Sequence, residues 1–368
     1  MSQRMPEASL SSPLPEGSII GILGGGQLGR MTAIAAAELG YRCHVYAPEG
    51  DAPACDVAAF STRADYDDGA ALAGFAAAVD TVTSEFENVP AEAMEAIALN
   101  APVSPGAAAL RTAQHRIAEK TLARSLGIAT PDFAPVNRAS DITAPLNGMA
   151  HGAILKTCRL GYDGKGQASI STAAEAEAAF DGLKSDDCIL EERIDFQAEA
   201  SFLIARSADG RIAHFPATIN AHKGGILSTS VAPADAETLP PPLLRAGQDA
   251  VEALARHLEL VGVLAMESFI TGSGLVFNEI APRPHNSFHW TIEGAETSQF
   301  AQLVRAITGL PLGSTGAMGR WQMDNILGED MDRLDAAMGE AGAFIHRYGK
   351  AAARPGRKMA HITRQISD

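Results

Sequence analysis

The chain has 368 residues, 46% of them hydrophobic, enough for two or three packed domains rather than one small core. Its 29 Lys plus Arg against 44 Asp plus Glu give a formal charge of −15, which disfavours nucleic acid and anionic membrane over most of the surface. Any anionic ligand must therefore meet a local basic cluster.

The first sixteen residues are rich in Ser, Pro and Glu, with no apolar h-region, and read as a disordered tail rather than a signal peptide. Gly17–Leu23 reads as a short apolar strand ending in glycines, Thr32–Leu39 as an Ala-rich helix, and Cys43–Tyr46 and Thr81–Ser84 as further strands. That is an α/β, nucleotide-binding style of opening. Ser104 is expected to cap a helix with Pro105 at its first position, running to Leu126 before Gly127. Strand-like runs at Ala153–Lys156, Cys188–Glu191 and Ser201–Ala205 suggest a small α+β unit, and the Pro-rich patch Leu239–Leu243 introduces a helix over 246–258. The four cysteines (Cys43, Cys55, Cys158 and Cys188) form no C-x-x-C pair, so their spacing indicates neither a zinc site nor a disulfide framework, and a cytoplasmic setting fits. No apolar run reaches membrane-spanning length.

Three motifs carry chemistry. Gly24-Gly25-Gly26-Gln27-Leu28-Gly29 satisfies G-x-G-x-x-G between a strand and a helix, which suits a dinucleotide, any other phosphorylated ligand, or simply a tight turn. Glu49 and Asp51 lie about twenty positions on, where a ribose-binding acid of an NAD dehydrogenase would fall. Next, Lys156 ends an apolar strand and is followed by a loop with glycines at 161, 164 and 166 and a further Lys165, able to fold over phosphates. After it, the run from Glu191 to Ile194, with Glu199 beyond, offers a backbone edge and carboxylates for a base and a ribose, or a solvated acidic turn.

The third motif is a hairpin, Val263–Ile270 and Leu275–Ile280 about Thr271-Gly272-Ser273-Gly274. A turn centred on Ser273 sets Thr271 against Leu275 and Glu267 against Glu279 on one face. Like charges directly opposed, with Cβ atoms roughly 5 Å apart, destabilise a sheet unless a cation, a shared proton or an Arg partner intervenes. Magnesium, which takes carboxylate oxygens together with phosphates, is the favoured occupant.

On these motifs the sequence resembles the ATP-grasp superfamily and, within it, the N5-carboxyaminoimidazole ribonucleotide synthetases of purine biosynthesis. The carriers are GGGQLGRM at 24–31, SEFENVP at 84–90, HRIAEK at 115–120, GYDGKGQ at 161–167, EERIDFQAEAS at 191–201, MESF at 266–269, NEIAPRPHNS at 278–287 and RPGRK at 354–358. The resemblance implies an α/β and α+β multidomain protein: a Rossmann-like pre-ATP-grasp domain over 17–110, an ATP-grasp domain over 111–310 with a lid at about 130–195, and a small C-terminal domain over 311–368. It further implies a cytoplasmic homodimer that uses ATP and Mg2+ (or Mn2+) to carboxylate an aminoimidazole ribonucleotide with bicarbonate.

By the same resemblance ATP would meet Arg116, Lys156, Gly161, Tyr162, Asp163, Gly164, Lys165, Gly166, Gln167, Glu191, Glu192, Arg193, Ile194, Glu199, His222 and Asn278. Glu267 and Glu279 would hold the metal. Gln27, Leu28, Glu85, Lys350, Arg357 and Lys358 would bind the ribonucleotide, and Arg283, His285 and Lys358 would hold bicarbonate or carboxyphosphate, since an Arg fork suits a planar carboxylate. The chain departs from the family pattern at Leu160 and Phe288, where glycines are usual, and ends at Asp368 before the expected C-terminal helix. Other ATP-grasp carboxylate ligases, a transformylase, and a dehydrogenase are the competing readings.

Overall fold

The computed structural model describes residues 12–161 and 165–367, so the expectations for residues 1–11 and for Tyr162, Asp163 and Gly164 lie outside it. Near the N-terminus, β1 (Ile19–Leu23), β2 (Arg42–Tyr46), β3 (Phe60–Thr62) and β4 (Thr81–Ser84) form a parallel sheet in the order β3-β2-β1-β4. The helix α1 (Gln27–Glu38) starts inside the glycine motif, five residues before the Ala-rich run that signalled it. The expected tail does not extend to Glu16. The Leu14 N–H donates to Thr308 O at 2.8 Å, and the Tyr41 hydroxyl donates to Leu14 O at 3.0 Å.

The single helix expected from Ser104 to Leu126 is two: Ala107–Ala113, capped by Gly106 rather than Ser104, and α2 (Arg116–Ser125). The break falls at Gln114–His115, where the Gln114 amide donates to Glu87 O at 2.7 Å and Val89 O at 2.6 Å. Those bonds tie the joint to the loop after β4, so a tertiary contact overrides continuous helical propensity.

A second, antiparallel sheet runs β5-β8-β6-β7, from β5 (Phe133–Val136), β6 (Ala153–Thr157), β7 (Gln167–Ile170) and β8 (Cys188–Glu192). The third sheet is the largest. Its strands are β9 (Ala198–Arg206), β10 (Ile212–His214), β11 (Thr218–Lys223), β12 (Ile226–Ala232), β13 (Gly262–Thr271), β14 (Gly274–Ala281), β15 (Arg320–Leu327), β16 (Ala343–Arg347) and β17 (Lys358–Ile366), in the order β14-β13-β9-β11-β12-β15-β17-β16 with β10 on β9. The C-terminal strands thus continue this sheet through the β12–β15 pairing, and the basic segment before β17 lines the same cavity as the hairpin.

One core binds the first sheet to the third: Ile20, Val45 and Ala36 pack in a cluster with Leu203, Phe288, Trp290 and Val304. Phe288 is wholly buried there, edge-on to Phe215, so the bulk that replaces a glycine is absorbed by the core rather than by an open site. On the sheet's other face the helix Pro241–His257, beginning five residues before the expected start, packs Val251 and Leu254 on Phe202, Leu264 and Met266. Apolar residues at i and i+3 supply that stripe.

Candidate active site

Glu267 on β13 stands directly opposite Glu279 on β14, but not by the register expected from the turn. Thr271 pairs with Gly274 rather than Leu275, which would put Glu267 out of step. A bulge restores it. Ser268 pairs with Phe277 and Glu267 with Glu279, so Asn278 is the extra residue. The Asn278 carbonyl accepts a 2.6 Å hydrogen bond from Lys120 Nζ.

Glu267 is largely enclosed, its side chain 12% exposed, while Glu279 opens to the cavity at 38%. Burial and the Glu279 charge push the Glu267 carboxyl up from its usual range, whereas Arg116, at 3.1 Å, outweighs burial and holds Glu279 down. Sequence reasoning missed what steadies Glu267. Ser230 Oγ donates to Asn220 Oδ1 at 2.8 Å, Asn220 Nδ2 to Ser201 Oγ at 2.6 Å, and Ser201 Oγ reaches Glu267 Oε1 at 3.5 Å, a polar row across β12, β11, β9 and β13. Arg116 offsets only the Glu279 side of the pair, and two opposed carboxylates on such a frame suit a hard divalent cation, which takes oxygen ligands.

Both carboxylates face a cavity of about 870 Å³ that also takes in Gly24–Leu28, Glu85, Arg116, Lys156, Gly161, Lys165, Gln167, Glu199, His222, Asn278, Arg283, His285, Lys350, Arg357 and Lys358. Arg116 bridges two parts of it, donating to Glu279 Oε2 and to Gly161 O, each at 3.1 Å. Leu160, beside that loop, sits at φ +61°, a left-handed conformation in which a glycine would be unstrained.

Of the other expected nucleotide contacts, Gly166, Glu191, Glu192, Arg193 and Ile194 stand outside the lining. Glu192 and Arg193 donate their backbone N–H groups to Asp132 O (2.8 Å) and Gly152 O (3.0 Å). Glu191 is not a free acceptor. It is 2% exposed, 2.7 Å from Lys156 Nζ and 3.4 Å from the fully buried Lys120, a residue the motif search passed over. Those two lysines outweigh burial and hold its carboxyl below the usual range, while burial lowers Lys156. Glu119, equally unforeseen, accepts the Ile280 N–H at 3.1 Å and is pushed up to about 8 by burial. The HRIAEK run is the only local signal for either.

The glycine loop has an occupant of its own. Glu85, reaching from the end of β4, accepts the Gly26 N–H at 2.8 Å and the Gly29 N–H at 3.1 Å. A Cβ on Gly24 or Gly26 would come within 2.7 or 2.8 Å of Glu85 Oε1, so these glycines admit the carboxylate. It takes first-turn donors that a dinucleotide pyrophosphate would need, and burial raises its pKa against them. Asp51 is engaged too, 2.7 Å from Arg357 and accepting the Ala351 N–H at 3.1 Å, rather than open for a ribose. Both contacts remove the support for the dehydrogenase reading.

At the far end, Lys350 Nζ donates to Lys358 O at 2.8 Å, and burial lowers its pKa to about 8. Arg283 is paired with Glu87, again unforeseen, and also donates to Pro284 O at 2.9 Å. His285 Nε2 lies 3.6 Å from Glu267 Oε1, with Nδ1 2.7 Å from Ser287 Oγ. Burial, then Arg283 and Lys358, hold its pKa well below normal, so it is a neutral imidazole. His222 Nδ1 sits 3.0 Å from Glu199 Oε2; this carboxylate and Glu267 outweigh burial and raise its pKa. His289 turns into the core, stacked on Phe300 and bonded to Gln299 at 3.1 Å, so it forms no metal pair with His285.

Three family models match in order: a ribonucleotide synthetase pre-ATP-grasp domain at 18–114, an ATP-grasp domain at 121–300, and a phosphoribosylaminoimidazole carboxylase C-terminal domain at 322–367. The chain is 43% identical over 354 residues to the N5-carboxyaminoimidazole ribonucleotide synthase of Brucella melitensis, covering 95% of this chain and 97% of that one. It is 42% identical to a bifunctional purine synthesis protein of Dictyostelium discoideum, covering 96% of this chain but 37% of that longer protein. The structure of the N5-carboxyaminoimidazole synthase of Aspergillus clavatus, in complex with ADP and 5-aminoimidazole ribonucleotide, matches with a TM-score of 0.89 at 27% identity, over 95% of this chain and 94% of the other. In sequence, domain order and fold, the chain belongs to the N5-carboxyaminoimidazole ribonucleotide synthase family of ATP-grasp ligases.

Proposed function

We propose that this protein uses ATP and bicarbonate to carboxylate the exocyclic amine of 5-aminoimidazole ribonucleotide, releasing ADP and phosphate. One observation carries the reading. A single cavity joins the opposed Glu267 and Glu279 to the basic cluster of Lys350, Arg357 and Lys358, and His285, 3.6 Å from Glu267, lines it too. The relative crystallised with ADP and the aminoimidazole ribonucleotide supports both ligands.

Lys156, Lys165 and Arg116 line the nucleotide end and set positive charge against phosphates. Magnesium on Glu267 and Glu279 would supply the charge that makes the γ-phosphorus electrophilic. A bicarbonate oxygen attacks that phosphorus and ADP leaves; the amine then attacks the carboxyphosphate carbon, phosphate leaves and the amine loses a proton. Neutral His285 can donate a hydrogen bond to the bicarbonate or accept one from it, and Arg283, once shared with or freed from Glu87, offers a planar fork. Lys358, which lines the same cavity, would help to hold that anion.

Lys350 and Arg357 would take the sugar phosphate beside Gln27 and Leu28, with Glu85 facing the heterocycle. Family membership supports a cytoplasmic homodimer; among the described residues no helix is long and apolar enough to cross a membrane. ADP release should require bicarbonate and the aminoimidazole ribonucleotide together, and Glu279→Gln should abolish it. Turnover without the aminoimidazole, or unchanged turnover in the variant, refutes the reading.

A further inference from the structure

The cysteines have no metal-binding spacing in sequence, yet folding brings one of them to a histidine and an aspartate. His115 is the N-cap of α2, Cys158 follows β6, and Asp187 precedes β8. One ligand atom from each lies within 4.8 Å of the other two. His115 Nε2 is 3.4 Å from Asp187 Oδ1, Cys158 is 1% exposed, and His115 Nδ1 is buried without a hydrogen-bond partner among the described residues.

The backbone holds the three in place. The Cys158 N–H donates to Asp187 O at 2.9 Å, and the Arg116 N–H donates to Cys158 O at 3.1 Å. Arg159 Nε, 3.8 Å from Asp187 Oδ2, steadies the carboxylate from outside.

We infer that His115, Cys158 and Asp187 form a site for a borderline-soft divalent cation of the zinc class, distinct from the all-oxygen pair of Glu267 and Glu279. A thiolate, an imidazole and a carboxylate from three separate segments match the donor preferences of Zn2+, which takes S, N and O ligands tetrahedrally and leaves a fourth position for water. Magnesium, a hard cation, binds sulfur poorly, so this site discriminates against it. The thiol proton passes to solvent as the ion binds.

The position gives binding a consequence. Arg116, next in sequence to His115, bridges Glu279 and Gly161, and Cys158 lines the large cavity. An ion here ties the start of α2 to the sheet that carries Lys156, and so fixes the helix end that presents Arg116.

The test uses the full chain, stripped with EDTA and exchanged into excess MgCl2. Co2+ is titrated as a spectroscopic stand-in for Zn2+, and the thiolate-to-cobalt charge-transfer band is followed. One equivalent should bind, Zn2+ should displace it, Cys158→Ser should abolish the band, and His115→Asn should weaken binding at least about tenfold. Cys188→Ser should leave the band intact, because that thiol donates to Ser185 O at 3.3 Å, outside the cluster. Absence of the band, or its persistence in Cys158→Ser, overturns the site; should Cys158→Ser fail to fold, unchanged affinity in both His115→Asn and Asp187→Asn does so. One equivalent of Zn2+ should slow ADP release in the wild type and not in His115→Asn; equal slowing in both overturns the coupling through Arg116. The binding arms do not depend on which substrate is carboxylated.

Discussion

Replacing Glu267 by glutamine should stabilise the metal-free protein while ending its activity. Directly paired residues on adjacent strands hold their Cβ atoms roughly 5 Å apart, and two unit charges at that distance repel by about 3 kcal/mol at an effective dielectric constant near 20. Two features reduce this figure: Arg116 lies 3.1 Å from Glu279, and the Glu279 side chain is 38% exposed, so solvent screens part of it. We expect a net gain of about 1–2 kcal/mol for Glu267→Gln, which keeps the volume and an oxygen to accept the Ser201 hydroxyl. Urea unfolding in EDTA, without nucleotide, should give the variant the higher midpoint. Adding MgCl2 and ATP should reverse the order: a ligand at a hundred times its Kd adds about 2.7 kcal/mol to the wild type, and the variant, lacking one metal ligand, gains little. A variant less stable than wild type in EDTA, or one that still releases ADP at the wild-type rate, would refute the reasoning.

Three other perturbations follow from the same geometry. Glu191→Gln leaves Lys120 and Lys156 buried without their shared carboxylate and should cost about 3–5 kcal/mol, measured by urea unfolding, with ATP restoring part through its phosphates at Lys156. Lys350, with a pKa of about 8, is protonated below that pH and neutral above it, and a bound phosphate favours the protonated form. Its KM for the ribonucleotide should therefore rise by up to about tenfold per pH unit above 8, and Lys350→Arg should remove that rise from the pH profile. Gly247→Ala raises helix propensity but places a Cβ 2.1 Å from the Phe202 ring, so it should destabilise by about 1–3 kcal/mol, and Phe202→Leu should relieve it in the double variant.

The elements most legible in the sequence are those governed by neighbours along the chain. The strand at Thr81–Ser84 falls at its expected bounds, and β1, β2, β6 and β8 within two residues, because short apolar runs bounded by glycine or charge have few other conformations. The helix expected from Ser104 starts later, after Gly106, and the Gln114 side chain, bonded to the Glu87 carbonyl, ties down the point where it breaks. Among the strands that were not expected, β15 to β17 are recognisable only by the sheet they join.

The candidate site divides the same way. Residue types and spacing determined that two carboxylates would oppose each other on one hairpin and that a glycine motif would join the first strand to the first helix. The tertiary structure decided how: the expected register at the turn was out by one residue, and the Asn278 bulge brings the glutamates back into step, a feature set by pairing with β9 and by Lys120 on the Asn278 carbonyl. It also decided that Glu85 fills the first glycine loop, that Glu191 serves two buried lysines, and that His115 meets Cys158 and Asp187. Each joins residues 29 or more positions apart, where sequence pattern carries no distance and only packed elements bring charges close enough for burial and Coulomb forces to act.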